Sequence, residues 1–296
     1  MAVKSLRQAT SEVLVKIAGP FMGKGIVAKR FAALNSLYWI LVRMVSNDIV
    51  IRVGANQLRA PNDGSIVTSY EFNVQNLLRH FLRRGMIAVD VGAHVGFYTL
   101  LMAESVGPDG VVYAIEPDPR NWTYLQRNIR ENNLKNIRCF RVALSSHSGE
   151  GVLYQAQHSA SSSLQRTYYL SSQGNQIIEE HTTTPVEIKT LKDILGDKIK
   201  VDLIKIDIEG AEIDALKGMA EIIEANRGIL LILEFHPSAI EQFGHDPHEF
   251  WELLWGYGFT IWLIGKNLRI IPRPNGVNRH CNVVCSRGDS LIRPFV

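Results

Sequence analysis

The sequence lacks the features that mark several large classes of protein. Only three of its 296 residues are cysteine, which gives no even set of thiols for a disulfide framework. The apolar run at residues 37–42 is ended by Arg43, far short of the roughly 20 residues that a membrane span requires. Residues 1–20 carry charges throughout, unlike a secretory signal. These absences predict a soluble, cytoplasmic protein.

Charge gives a weak indication of partners. The formal net charge is only +3, so composition makes no general case for nucleic-acid binding. Residues 1–85, however, contain twelve lysines or arginines and four acidic residues. Residues 1–46 alternate these charges with apolar positions at helical spacing, which predicts one or two amphipathic helices. We expect them to cap the fold; peripheral membrane contact is the alternative.

A strand, a glycine-rich turn and a second strand follow one another from Met86. The apolar run that begins there reaches Asp90, and the turn after it contains Gly92 and Gly96. A helix-like stretch then leads to a second apolar run that ends at Glu116. This order is typical of α/β proteins that bind an adenosine-bearing cofactor, because the acid at the second strand can accept both ribose hydroxyls.

The chemistry of the turn distinguishes between cofactors. A nicotinamide or flavin site needs G-x-G-x-x-G, and the residues from Gly92 read G-A-H-V-G-F. Asp90 would also face the pyrophosphate of such a cofactor, which is electrostatically unfavourable. A carboxylate suits the ammonium and sulfonium of S-adenosylmethionine, with Gly92 and Gly96 admitting its amino-acid portion and Glu116 binding its ribose. A plain βαβ turn without a ligand is the alternative.

A second motif, VDLIKIDIEGAE, occupies residues 201–212. It predicts a buried strand that ends in charged residues, with Lys205, Asp207 and Glu209 on one face if the strand extends that far. Charge at the carboxyl end of a strand in an open α/β sheet lies where ligands bind.

Together, DVGAHVGFYTL, AIEPDPRNWTYLQRNI, RVALSS and DLIKIDIEGAEIDALKG resemble the FkbM family of S-adenosylmethionine-dependent methyltransferases. The resemblance covers roughly residues 70–240. It implies a class I methyltransferase fold, with a mostly parallel seven-stranded sheet and flanking helices, and usually O-methylation of polyketide, sugar or lipid-linked hydroxyls.

The resemblance also assigns roles to single residues. Asp90, Gly92 and Gly96 would line the methionine end of the cofactor, and Glu116 its ribose. The segment 141–145, with Ala143 at its centre, would lie near the adenine. His94 stands where family members often have asparagine; both can donate to a carboxylate, so we expect cofactor binding through His94 as well.

We expect two units along the chain. Residues 1–69 would form the helical extension and a short hairpin, and residues 70–296 the methyltransferase domain. Residues 145–185 interrupt the strand and helix pattern with a segment rich in Ser, Thr and Gln, which predicts an inserted hairpin or a lid.

Methyl transfer to a hydroxyl needs a group that removes the proton, since an alcohol is a poor nucleophile at neutral pH. Asp207 is the first candidate and His236, at the end of ILLILEFHP, is the second. Lys205 could keep Asp207 ionised. A Mg²⁺ ion bound by Asp207, Glu209, Glu234 and His236 is possible but not favoured, because no spacing specifies such a site.

Two other functions compete with a small-molecule or glycan methyltransferase. A nucleic-acid methyltransferase that acts on amino groups commonly carries an N/D-P-P-Y/F motif after the fourth strand, where this chain has DIEG at 207–210. A protein that binds the cofactor without catalysis would be favoured if Asp90 or Glu116 were missing, and both are present. The sequence predicts neither the acceptor nor an oligomeric state.

Overall fold

A computed structural model describes most of the chain after residue 47. The described residues are 48–63, 71–155, 162–164, 168–170, 176–178, 182–196, 200–265, 269–270 and 277–288. The helices predicted over residues 1–46 lie outside them. The division of the chain near residue 69 therefore stays a prediction.

Helices and strands alternate through most of the described chain. The helices are α1 (Phe72–Phe81), α2 (Phe97–Val106), α3 (Pro119–Glu131), α4 (Leu191–Leu195), α5 (Glu212–Gly218), α6 (Ala220–Ala225), α7 (Pro237–Gln242) and α8 (Pro247–Gly256). The strands are β1 (Asp48–Val53), β2 (Asn56–Pro61), β3 (Ile87–Val91), β4 (Val111–Ile115), β5 (Ile137–Phe140), β6 (Ala143–Leu144), β7 (Gly149–Gln155), β8 (Tyr168–Leu170), β9 (Gln176–Ile178), β10 (Thr182–Lys189), β11 (Leu203–Ile206), β12 (Leu230–Phe235), β13 (Thr260–Leu263), β14 (Arg269–Ile270) and β15 (Cys281–Ser286).

The central sheet has the order β14-β13-β15-β12-β11-β3-β4-β5. Strands β5, β4, β3, β11 and β12 pair in parallel, and β15 pairs antiparallel with both β12 and β13. This order confirms the class I methyltransferase fold, with the two-residue β14 as an eighth strand beside the seven expected. From β3 the chain proceeds to β4 and β5 on one side and later to β11 and β12 on the other. Ligands bind at such a switch point, beyond the carboxyl ends of the strands.

Both faces of this sheet are covered. Along β3, Ala88 contributes to one hydrophobic core, while Val89 and Val91 contribute to the other. Helices α1 and α2 share the first core with the β1–β2 hairpin, and α5, α6 and α8 share the second. Burial on both faces explains why these strands are almost continuously apolar in sequence.

The hairpin is joined to the sheet through a buried asparagine on α3. The side chain of Asn128 accepts from the backbone N–H of Arg59 at 2.8 Å and donates to the carbonyls of Arg59 and Val95, each at 2.8 Å. These bonds fix the hairpin beside the turn that follows β3.

Residues 145–185 contribute a separate small sheet. Strands β7 and β10 pair antiparallel over seven positions, and β6 pairs in parallel with the end of β10. The apolar run at residues 137–143 predicts one continuous strand, but β5 ends at Phe140, where the chain leaves the edge of the central sheet, and Ala143 pairs with Ile188 instead. Within the described part of the chain, no helix combines the length and the apolar character needed to cross a bilayer.

Candidate active site

A cleft opens at the carboxyl ends of β3, β4 and β11. Seven of the residues predicted from sequence line it: Gly92, His94, Glu116, Ala143, Lys205, Asp207 and Glu209. Ser162, Ser163 and Leu164, from the inserted segment, complete one wall. The side chain of Ser162 donates to Asp118 at 2.7 Å, at the start of α3, which fixes this wall to the central sheet.

The turn after β3 requires glycine. Gly92 has φ of +80°, and a Cβ atom there would lie 1.9 Å from the carbonyl oxygen of Asp207. The backbones at the ends of β3 and β11 are therefore in direct contact. Gly96, the N-cap of α2, has φ of +98°, and a Cβ atom would approach Leu125 of α3 to 2.8 Å. The structure thus gives Gly96 a packing role behind the cleft, and its contact with cofactor stays a prediction.

Glu116 lies at the tip of β4 with its carboxylate held by backbone donors. It accepts from the N–H of His94 at 2.7 Å and from the N–H of Asp118 at 2.9 Å. Burial raises the pKa of Glu116 to about 7, although these hydrogen bonds oppose the rise. The Asn121 side-chain amide donates a third, longer bond to Glu116 at 3.4 Å. A carboxylate has about four acceptor positions, so one ribose hydroxyl can bind at the remaining position and a second can replace the long Asn121 bond.

Asp90 is buried and His94 half-buried close to this turn. Asp90 Oδ2 accepts from the Thr99 hydroxyl at 2.6 Å, while Oδ1 has no hydrogen-bond partner among the described residues. Burial raises the pKa of Asp90, and the charge of Lys205 opposes this. Burial also lowers the pKa of His94 to about 4, so its imidazole is neutral at physiological pH. His94 has φ of +53°, the left-handed conformation that asparagine also tolerates.

Lys205 and Asp207 form a buried ion pair at the end of β11. Lys205 Nζ lies 2.9 Å from Asp207 Oδ2 and 4.4 Å from the centre of the Tyr98 ring. Burial lowers the pKa of Lys205, but the charges of Asp207 and Asp90 outweigh it and the pKa is raised. Burial raises the pKa of Asp207, and the Lys205 ammonium more than reverses this, so Asp207 is ionised.

Glu209 differs from the sequence expectation. Strand β11 ends at Ile206, and Glu209 lies in the following turn with φ of +53°. It still comes close to Asp207 and Glu234, because carboxylate oxygens of all three lie within 4.8 Å of one another. Burial and the neighbouring carboxylates raise the pKa of Glu209 to about 9.

We assign no metal to these three carboxylates. Two of them have cationic or hydrogen-bonding partners within the protein, Asp207 with Lys205 and Glu234 with His280. The cysteines of the C-x3-C pair, Cys281 and Cys285, are free thiols on β15.

His236 follows β12 and begins α7. Its Nδ1 accepts from the backbone N–H of Ala239 at 3.1 Å, so the side chain caps the helix. Burial and the neighbouring His280 lower the pKa of His236. The two imidazole rings meet edge to face with their centres 4.7 Å apart.

Three side chains near the carboxyl ends of β11 and β12 were not predicted from sequence as site residues. His280 Nε2 lies 2.5 Å from Glu234 Oε1, and Glu71 accepts hydrogen bonds from Tyr98, at 2.5 Å, and from Asn282. Glu71 precedes α1 and Asn282 is on β15, 211 residues later. The sequence around them carries no motif, so only the fold brings them together.

Comparison with known proteins gives a family for this arrangement. A family model described as the methyltransferase FkbM domain matches residues 90–261, more than half of the chain. The chain belongs to the FkbM methyltransferase family. The match runs from the acid at the end of β3 to β13 and so includes the whole cofactor side of the cleft.

Curated relatives are similar over part of the chain. Methyltransferase 1 of Beauveria bassiana is 29% identical over 44% of this chain and 57% of its own length. Methyltransferase sdnD of Sordaria araneosa is 30% identical over 45% of this chain and 60% of its own length. The hexuronic acid methyltransferase AglP of Haloferax volcanii is 25% identical over 62% of this chain and 67% of its own length. The chain thus spans less than two thirds of the first two relatives.

Solved structures show a looser similarity. The methyltransferase FkbM from Methylobacillus flagellatus is 14% identical, with a TM-score of 0.42, over 92% of this chain and 58% of its own. PH0793 from Pyrococcus horikoshii is 13% identical, with a TM-score of 0.48, over 94% of this chain and 97% of its own. We therefore assign the fold from the strand order of the central sheet and not from these TM-scores.

The cofactor of this FkbM domain is S-adenosylmethionine, and the cleft fits it in three respects. Gly92 and Glu116 line the cleft at the carboxyl ends of β3 and β4, where ligands bind in open α/β sheets, and Glu116 offers a carboxylate that can accept ribose hydroxyls. The unpaired Oδ1 of Asp90 is a buried acceptor that suits a cationic donor.

Replacing Gly92 by alanine is expected to abolish cofactor binding. The new Cβ would overlap the Asp207 carbonyl, so the turn and the end of β11 would have to separate. Gly85→Ala is the matched control, because Gly85 has nearly the same φ, +81°, and no atom within 4 Å of the Cβ position. It should cost about 1–2 kcal/mol of stability from backbone strain alone. Calorimetric binding by Gly92→Ala at the wild-type affinity would contradict this assignment.

Cofactor affinity is expected to rise with pH through the pKa of Glu116. The ionised carboxylate accepts the ribose hydroxyls, and in the free protein its pKa is raised to about 7, so ionisation before binding is incomplete below that pH. We expect the Kd for S-adenosylhomocysteine to fall about tenfold between pH 6 and 8. Glu116→Gln should remove this dependence, whereas the exposed Glu150→Gln should retain it. An equal pH dependence in Glu116→Gln would refute the role.

Proposed function

We propose that this protein transfers the methyl group of S-adenosylmethionine to a hydroxyl of a small molecule, a sugar or a lipid-linked glycan. The observation that carries the proposal is the position of Asp207. It lines the same cleft as Glu116 and lies at the end of β11, beside the turn that would hold the methionine end of the cofactor. The sulfonium methyl and ionisable side chains would therefore meet at one edge of the sheet.

The proposed reaction needs side chains that orient the acceptor hydroxyl and receive its proton. The reaction is an in-line displacement in which the cofactor carries the reactive methyl, and the protein orients the acceptor and receives its proton. Asp207, His236 and Lys205 are our proposed catalytic residues. The Lys205 ammonium keeps Asp207 ionised, so this carboxylate can accept a hydrogen bond from the acceptor hydroxyl and orient it.

The relative AglP, named a hexuronic acid methyltransferase, supports a sugar acceptor. A lipid-linked acceptor would fit a second feature, the excess of lysine and arginine in residues 1–85, since basic segments bind anionic membrane surfaces. The proposed partner is therefore a small-molecule or glycan acceptor, presented either free or at a membrane.

The direct test is methyl transfer from tritiated S-adenosylmethionine to separate acceptor pools. The pools are methyl glycosides of neutral sugars, methyl glycosides of hexuronic acids, a lipid-linked oligosaccharide extract in vesicles, and RNA, each with and without Mg²⁺. Label in a sugar or lipid-linked pool, absent with Asp90→Ala, supports the proposal. Label in RNA alone, or in no pool, would exclude it.

Asp207→Asn and His236→Ala are expected to bind the cofactor normally and to lose turnover. We assign both side chains to the acceptor side of the proposed reaction, because the Asp207 carboxylate pairs with Lys205 and the His236 ring caps α7. Calorimetry with S-adenosylhomocysteine and turnover with the acceptor found above measure the two effects separately. The exposed His248→Ala, on α8, is the matched control. Wild-type turnover in both site variants would remove them from the catalytic group.

A further inference from the structure

The strand pairing at the edge of the site places a second histidine beside the predicted one. Strand β15 runs antiparallel to β12, with Cys281 opposite Phe235 and Asn282 opposite Glu234. His280, one residue before β15, therefore lies next to His236, one residue after β12. We propose that His280, oriented by Glu234, is the group that takes the proton from the acceptor hydroxyl, an assignment that rests on the proposed O-methylation.

The geometry of His280 and Glu234 is that of a base held by a carboxylate. His280 Nε2 lies 2.5 Å from Glu234 Oε1, and the Glu234 side chain is only 8% exposed at the end of β12. The His280 side chain is 54% exposed. One ring nitrogen is thus fixed to a buried carboxylate, while the ring remains accessible to a substrate. When Glu234 is ionised it can only accept, so Nε2 then carries the hydrogen of their bond and Nδ1 the lone pair.

The neighbouring candidates are less able to accept a proton. The carboxylate of Asp207 is paired with Lys205 at 2.9 Å, which lowers its basicity. A neutral imidazole has one nitrogen with a free lone pair, and in His236 that nitrogen, Nδ1, accepts from the N–H of Ala239. His236 can therefore cap α7 and border the acceptor, but its neutral form has no second acceptor nitrogen.

The proton and the methyl group balance in this scheme. The acceptor oxygen attacks the methyl carbon, the O–C bond forms, and the C–S bond breaks with its electron pair going to sulfur, which becomes a neutral thioether. The O–H bond breaks and its proton passes to Nδ1 of His280. The positive charge thus moves from the sulfonium to the imidazolium of His280. The Glu234 carboxylate compensates this charge.

Four groups face His280 and set its proton affinity. The hydrogen bond with Glu234 raises its pKa first, burial opposes it, and the charges of Glu234, Asp207 and Glu71 raise it further. The ring of His236 meets it edge to face, and each imidazole disfavours a charge on the other. Because the base acts in its neutral form, kcat should rise with pH through this raised pKa.

The test uses three variants with the full chain. His280→Gln keeps a donor near the position of Nε2 but has no base. It should lower kcat about 10²–10⁴-fold and remove the rise of kcat with pH, leaving the Kd for S-adenosylhomocysteine unchanged. Glu234→Gln should lower kcat and move the rise to lower pH, because the carboxylate that raises the pKa of His280 is gone. His248→Gln, an exposed histidine on α8, should change neither value.

A second measurement is independent of the acceptor. The ¹³C-labelled histidine side chains are titrated by NMR, with the His280 signal assigned through His280→Gln. Titration above the ordinary histidine pKa in wild type, and a lower pKa in Glu234→Gln, supports the pair. An unshifted His280 in wild type, or no change in Glu234→Gln, would overturn it.

The outcomes separate the two proposals. If wild type methylates a hydroxyl acceptor and His280→Gln keeps its kcat and its pH dependence, the assignment of His280 fails while O-methylation stands. If the pH dependence disappears in His236→Gln and persists in His280→Gln, His236 is the base. If NMR shows that Glu234 raises the pKa of His280 but no hydroxyl acceptor is methylated, the proposal of O-methylation fails. The assignment of His280 as the base then fails with it.

Discussion

The active-site edge depends on one buried ammonium group. Lys205 is 3% exposed and lies among the carboxylates of Asp207, Asp90 and Glu71, whose charges all favour its protonated form. Burying several like charges together is costly unless a cation compensates them. Without Lys205, Asp207 would lose its ion-pair partner and the ends of β3 and β11, which touch at Gly92, would carry uncompensated negative charge. The carboxylates at the ends of β3 and β11 can therefore lie close together only because Lys205 compensates their charge.

The two sides of the site come from different parts of the chain. The cofactor side, from Asp90 through Glu116 to Asp207, lies within the region that matches the FkbM domain, residues 90–261. On the side that we assign to the acceptor, Glu71 comes from before that region and His280 from after it. In the proposed reaction, the fold supplies the cofactor site, and segments outside the matched region add the groups that we assign to the acceptor.

The sequence predicts the cofactor side well because its signals are local. Asp90, Gly92 and Glu116 each end or follow an apolar strand, and the structure places all three at the switch point of the sheet. The parallel sheet itself follows from the alternation of strands and helices. The two-residue strands β6 and β14 are too short to produce a sequence pattern, so the pairing of Ala143 with Ile188 is not predictable, although Ala143 does line the cleft.

The arrangement on the proposed acceptor side could not be predicted in the same way. The position of Glu209 was extrapolated from period two, but β11 ends at Ile206 and a turn carries Glu209 back toward Glu234. His280 is brought to Glu234, 46 residues earlier in the chain, by the antiparallel pairing of β15 with β12. Such pairing across the sheet is set by tertiary packing, which no single segment encodes.

A crystal structure with S-adenosylhomocysteine bound tests the central claim most directly. The account predicts ribose hydroxyls on the Glu116 carboxylate, the amino-acid portion against Gly92, and the sulfur facing the edge that holds Asp207, Glu234 and His280. A ligand bound outside this cleft, or one whose sulfur faces away from that edge, would contradict it.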